Sequence, residues 1–179
     1  MTTTKSNFAF LKGHNDFLFS IAQAAENNYP GDPNTTLVKL RIFGEYVANH
    51  LGTLLNIEPQ ETQFKLLDEI NKKANVDQTI LDVFHKLRTI GNDAVHKYHN
   101  DLNDAEMCLR LAFRLAVWYY RLISQDKDFP SPLFQLPNKQ DQQATQQAFY
   151  LLQHRQILIL PLNLLTLFLY SFFQFLLFL

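Results

Sequence analysis

The chain has 179 residues, 47% of them hydrophobic, and its 16 lysines and arginines nearly balance 17 aspartates and glutamates. That length suits one domain with a real core and excludes a multidomain machine. A net charge of −1 argues against general coating of polyanions, and five glycines and seven prolines exclude collagen-like and Pro/Gly-rich disordered classes. The single cysteine, Cys108, rules out an internal disulfide framework and fits a reducing compartment.

No targeting segment is expected at the start, because Met1–Ser6 is polar and Lys12, His14 and Asp16 interrupt the next stretch. Spacing of apolar residues at 3.6 predicts a first helix over about Ser6–Asn27, with Phe8, Leu11, Leu18, Ile21 and Ala25 on one face. It ends at the breakers Asn27-Asn28-Tyr29-Pro30-Gly31. A second helix starts at Asp32-Pro33-Asn34-Thr35, where an oxygen side chain caps free N–H groups and proline is tolerated in the first turn. Its stripe is Leu37, Leu40, Phe43, Val47, Leu51 and Leu54, and it stops before Glu58-Pro59.

A third helix is predicted over Glu61–Lys73 with Phe64, Leu67 and Ile70 inward, and a fourth from the cap Asp77 through Ile80, Phe84 and Leu87 to Ile90. Gly91-Asn92 should interrupt it, since glycine accepts a left-handed end and asparagine can cap a new start. The fifth begins at Asn103 or Asp104 and runs to about Ser124, carrying Met107, Leu111, Phe113, Leu115, Trp118 and Leu122. With no period-2 strand run, the expected fold is all-α, a compact bundle of about five helices over 6–125.

Residues 126–147 read as a linker, with Pro130, Pro132 and Pro137 and a Gln-rich run over 140–147. Beyond Asp141 the only formal charge is Arg155. Ile157–Leu179 is dominated by Leu and Phe, and its 23 residues are long enough as a helix for a hydrocarbon core of about 30 Å. It reads as a membrane anchor, or as the product of a shifted reading frame, given the abrupt change from a polar, Gln-rich run.

The densest polar group is Leu87–His99, with Arg88, Asn92, Asp93, His96 and His99. A helix beginning at Asn92 would put Asn92 and His96 one turn apart, with Arg88 across the Gly91 kink. His96 as a base and Arg88 stabilising a phosphorane-like transition state would suit a metal-independent ribonuclease. The competing reading makes Asn92 a cap, Arg88 half of an ion pair and His96 a hydrogen-bonding residue. Arg41 and Glu45, at i and i+4, form an ion pair beside Gly44, which allows close helix packing; Glu45 could also reach Arg88. His96 and His99 lack supporting metal ligands, and Cys108 falls on a Met/Leu-rich face, so neither a metal site nor a cysteine nucleophile is expected. The five glycines form no phosphate loop or G-x-G-x-x-G, so no cofactor is predicted.

The segments SNFAFLKGHNDFLFSIAQAAENNYPGDPNTTLVKLRIFGE and FHKLRTIGNDAVHKYHNDLNDAEMCLRLAFRLAVWYYRL resemble the N-terminal region of the restriction (R) subunit of type I restriction–modification enzymes of the EcoKI-like family. The resemblance covers about Ser6–Pro137 and rests on R-x-F-G-E and L-R-x-x-G-N-x-x-x-H. It implies a helical domain often grouped with the HEPN (higher eukaryotes and prokaryotes nucleotide-binding) superfamily. It also implies that the full subunit is an ATP-dependent translocase and endonuclease working with modification and specificity subunits. The HEPN likeness would place Arg88, Asn92 and His96 in an Arg…His motif, with Glu45 as a polar partner, although the Arg88–His96 gap is wider than that motif usually has.

The nuclease and motor motifs are not in this sequence. The expectation is therefore a truncated R-subunit fragment acting as a cytoplasmic interaction module, through subunit assembly or contact with DNA or RNA. A HEPN-type ribonuclease and a tail-anchored membrane protein are the alternatives.

Overall fold

In a computed structural model of the chain, the described residues are 6–138. The linker's second half and Ile157–Leu179, with the membrane-anchor and frameshift readings they carry, lie outside them. Five α-helices and no strand occur among the described residues: α1 (Asp16–Asn28), α2 (Pro33–Leu54), α3 (Gln63–Ala74), α4 (Gln78–Lys97) and α5 (Leu102–Ser124). The all-α expectation therefore holds. None of these helices is long and apolar enough to cross a membrane.

Each helix begins at a side-chain cap that satisfies one of its free N–H groups. Asn15 accepts from Leu18 N–H at 3.0 Å and Asp32 from Thr35 N–H at 2.9 Å. Thr62, Asp77 and Asp101 do the same for α3, α4 and α5. Hydrogen bonds from the Thr35 hydroxyl and N–H hold the Asp32 carboxyl below its ordinary value, as those from Thr79 do for Asp77.

The predicted first helix is two elements. A 3-10 turn at Ala9–Leu11 precedes α1, and the chain between them passes through Gly13 at φ +81. That left-handed conformation suits glycine, and the Gly13 N–H donates to Asp16 Oδ1 at 2.8 Å. Phe8 and Leu11 nevertheless reach the core, both fully buried. Phe8 meets Phe43 of α2 and Phe113 of α5 at ring-centre distances of 5.9 and 6.0 Å.

Helix α2 lies at the centre of the bundle, packed by α1, α4, α5 and α3. Its stripe Leu37, Leu40, Phe43, Val47 and Leu51 is buried as predicted, whereas Leu54 is 53% exposed. Phe64, expected inward on α3, is 58% exposed and lies against the His85 ring at 5.7 Å. The stripe of α3 is narrow: Leu66, Leu67 and Ile70 carry its burial.

The predicted break at Gly91-Asn92 does not occur; α4 runs through it to Lys97. Gly91 is a packing glycine. A Cβ there would fall inside contact distance of Arg41 Cβ on α2, and 3.0 Å from Arg41 Cγ and Cδ. Gly44, expected to permit close approach, would place a Cβ at an ordinary 3.5 Å from Leu87. The last turn of α4 is held from outside: Asn34 Nδ2, at the start of α2, donates to Ala94 O at 2.8 Å and His99 O at 2.9 Å. The Ala94 bond satisfies a carbonyl that the helix end leaves free, and the His99 bond holds the residue just past the left-handed cap Tyr98.

Residues 126–138, expected as linker, fold back along α5. Phe129 sits against Tyr120 and Phe10 at 4.4 and 5.4 Å, and Phe134 against Phe113 at 5.4 Å. Arg121 donates to Phe129 O from Nε and Nη2 at 3.0 and 2.8 Å. Asn7 then clasps Gln135 in both directions: its Nδ2 donates to Gln135 O, and its Oδ1 accepts from Gln135 N–H, each at 2.7 Å. The Asn7 backbone and side-chain amides also donate to the buried carboxylate of Glu26, at 3.0 and 2.6 Å. Burial pushes the Glu26 carboxyl above its ordinary value despite these bonds.

Candidate functional site

Of the sequence-predicted polar residues, Arg41 and Glu45 lie on α2 and Arg88, Asn92 and His96 on α4. Arg41 Nη2 and Glu45 Oε1 pair at 2.6 Å within α2, as the i,i+4 spacing anticipated. The Arg41 stem meanwhile lies over Gly91 of α4. Glu45 makes no ion pair with Arg88, so the anticipated bridge from α2 to α4 is absent among the described residues. An acid with a partner one turn away on its own helix has little reason to reach across.

Arg88 is partly buried and forms no ion pair among the described residues. Its Nε is buried without a hydrogen-bond partner, as are Arg41 Nε and Gln63 Oε1. Its charge is felt one turn back, at His85: burial, then the Arg88 guanidinium, push that imidazole below its ordinary value. This direction follows from helix geometry, since long side chains lean towards the helix N-terminus.

Asn92 is half-buried and His96 exposed. With α4 unbroken, Arg88, Asn92 and His96 sit at i, i+4 and i+8, and Arg88 and His96 are separated by about 12 Å of helical rise. Arg41 thus pairs with Glu45 within α2, Arg88 acts on His85 within α4, and His96 is exposed near the end of α4.

One pairing escaped the sequence reading. His99 Nε2 lies 2.7 Å from Asp104 Oδ2 across the α4–α5 turn, so this histidine has a carboxylate to orient its ring. The signal available was a histidine just past one helix end and an aspartate in the first turn of the next. Among the described residues no three His, Cys, Asp or Glu side chains could share a metal ion. Cys108 is buried in α5, and its thiol is pushed up to about 12, chiefly by that burial, which leaves it unreactive near neutral pH.

The helical unit is homologous to the N-terminal region of the endonuclease (R) subunits of type I restriction enzymes. The relative that establishes this is the type I restriction enzyme EcoKI endonuclease subunit of Escherichia coli (strain K12), 70% identical over 135 residues. Those residues are 75% of this chain and 12% of that protein, so the chain spans about an eighth of the length of the relative it matches. No family model matches the chain, and no solved structure does. The likeness to HEPN proteins therefore gains nothing from these comparisons.

Proposed function

We propose that the chain is a cytoplasmic helical interaction module of a type I restriction system, engaging the modification and specificity subunits or nucleic acid. The observation that carries this reading is 70% identity over 135 residues, 75% of this chain, confined to 12% of an endonuclease subunit. The full chain, titrated against the assembled modification–specificity complex and separately against duplex DNA, is expected to bind at least one. Failure with both removes the reading.

A ribonuclease using Arg88, Asn92 and His96 is the second reading, favoured by their shared face on α4 and by the exposure of His96. Its requirement is metal-independent cleavage of mixed RNA by the full chain in EDTA, lost on His96→Ala and on Arg88→Ala. The separation of the two side chains along α4 leads us to expect no His96-dependent cleavage. Cleavage that disappears in both variants would make the enzyme reading the correct one.

A further inference from the structure

Of the five arginines among the described residues, Arg41, Arg110 and Arg121 are held by Glu45, Glu106 and the Phe129 carbonyl, and Arg114 is exposed. Arg88 alone is partly buried with no hydrogen bond or ion pair to any described residue. Of its three unpartnered nitrogens only Nε is buried, so the terminal two face solvent. A guanidinium half withdrawn from water, its forked end outward and no acid upon it, is set to take an external anion.

Two further donors lie on the same side of α4. His85 stands three residues before Arg88 and Asn92 four after it, so the three share a face over about 10 Å of helix. Both are partly buried, and neither has a hydrogen-bond partner among the described residues. Burial and the Arg88 charge keep the His85 ring neutral near pH 7, so it offers one N–H without adding charge. The acids of α4 do not compete. Asp82 accepts from Gln78 Nε2 at 2.8 Å, and Asp93 pairs with Lys97 at 2.8 Å. On α2, Glu45 is already taken by Arg41.

A row of separated donors calls for a ligand whose acceptors repeat along its length. A single carboxylate occupies one guanidinium fork and leaves the other two donors idle, whereas a phosphodiester strand carries an anionic group at every step. We infer that His85, Arg88 and Asn92 form a contact for the phosphate backbone of a nucleic acid. Arg88 grips one phosphate with its fork, and the two neutral side chains donate to flanking oxygens. The inference deepens the nucleic-acid half of the interaction reading and rests on it. With a net charge of −1 on the chain and one cation in the row, the contact is weak, salt-sensitive and blind to base sequence.

The test titrates the full chain by fluorescence anisotropy against labelled duplex DNA, single-stranded DNA and single-stranded RNA of equal length, between about 50 and 200 mM salt. At least one is expected to bind at the lower salt, and the one bound most tightly identifies the strand. Arg88→Gln should lower that affinity about tenfold and reduce the slope of log K against log salt by about one phosphate contact, a readout that a merely structural role would not move. Arg88→Lys, which keeps the charge without the fork, should fall between the two. Arg114→Gln, at the exposed arginine of α5, should bind as the unaltered chain does. Circular dichroism confirms that each variant is folded. Three results overturn the inference. Binding to none of the three nucleic acids does so and leaves the modification–specificity half of the reading standing. Binding with a salt slope that Arg88→Gln leaves unchanged does so and leaves the nucleic-acid half standing, with its contact elsewhere. Loss of the modification–specificity complex alone in Arg88→Gln would make a protein carboxylate the partner of this arginine.

Discussion

Gly91→Ala should destabilise the domain by about 1–2 kcal/mol, the overpacking cost of up to about 3 kcal/mol outweighing the gain of about 1 kcal/mol that alanine brings over glycine in a helix interior. The gain in helix propensity is local to α4; the loss is set by α2. The new Cβ would collide with the Cβ, Cγ and Cδ of Arg41. A Cβ cannot swing aside as the end of a long side chain can, so α2 and α4 must separate, opening the centre of the bundle around Leu87 and Leu40. Urea unfolding of the two proteins measures the difference. Gly52→Ala is the matched control: there the nearest atom is Leu66 Cδ1 at 2.9 Å, the far end of a side chain that can rotate away. Its effect should stay within about 1 kcal/mol. Combining Gly91→Ala with Arg41→Gly should recover at least about 1 kcal/mol relative to the sum of the single changes, because contacting sites do not add. Equal stability of Gly91→Ala and the unaltered chain would mean that the helices do not meet at Gly91.

The second large effect is expected from Phe8→Ala, at about 3–5 kcal/mol, the usual cost of emptying a fully buried phenylalanine site. Phe8 lies before the first α-helix, in a segment that by position could be a dispensable lead-in. Its ring instead lies between Phe43 and Phe113, joining α2 to α5. Urea unfolding should therefore show one cooperative transition moved to lower denaturant. A small change, or selective loss of the first residues with the remainder unaffected, would show that the bundle closes without this segment.

Much of the helical framework was legible because its signals are local. Asp32-Pro33 and Asp77 announce helix starts by chemistry acting within three residues, and the stripe of α2 is nearly complete in the burial of Leu37, Leu40, Phe43, Val47 and Leu51. The Arg41–Glu45 pair was legible for the same reason. What the sequence hid depends on residues far apart in the chain. Gly91-Asn92 has the composition of a helix break, but Arg41 crosses at that glycine and Asn34 secures the next turn. With α4 continuous, the Gly91 kink across which Arg88 was expected to lie is absent. Phe64 shows another limit: 3.6-residue spacing identifies an apolar side of a helix without saying how wide the covering surface is. The segment 126–138 looked like a spacer because its prolines and polar residues say nothing about Phe129 and Phe134 meeting rings on α5 and near the N-terminus.

The clasp between Asn7 and Gln135 brings the two borders of the helical unit side by side, 128 positions apart in the chain. Such a unit is topologically a closed handle. It can be spliced into an exposed loop of another protein with short joints and without prising that loop open, because departure and return share one point in space. The same closure makes circular permutation practicable: joining the borders near Asn7 and Gln135 and cutting at an exposed turn, such as 58–62 ahead of α3, would preserve every helix while moving the ends.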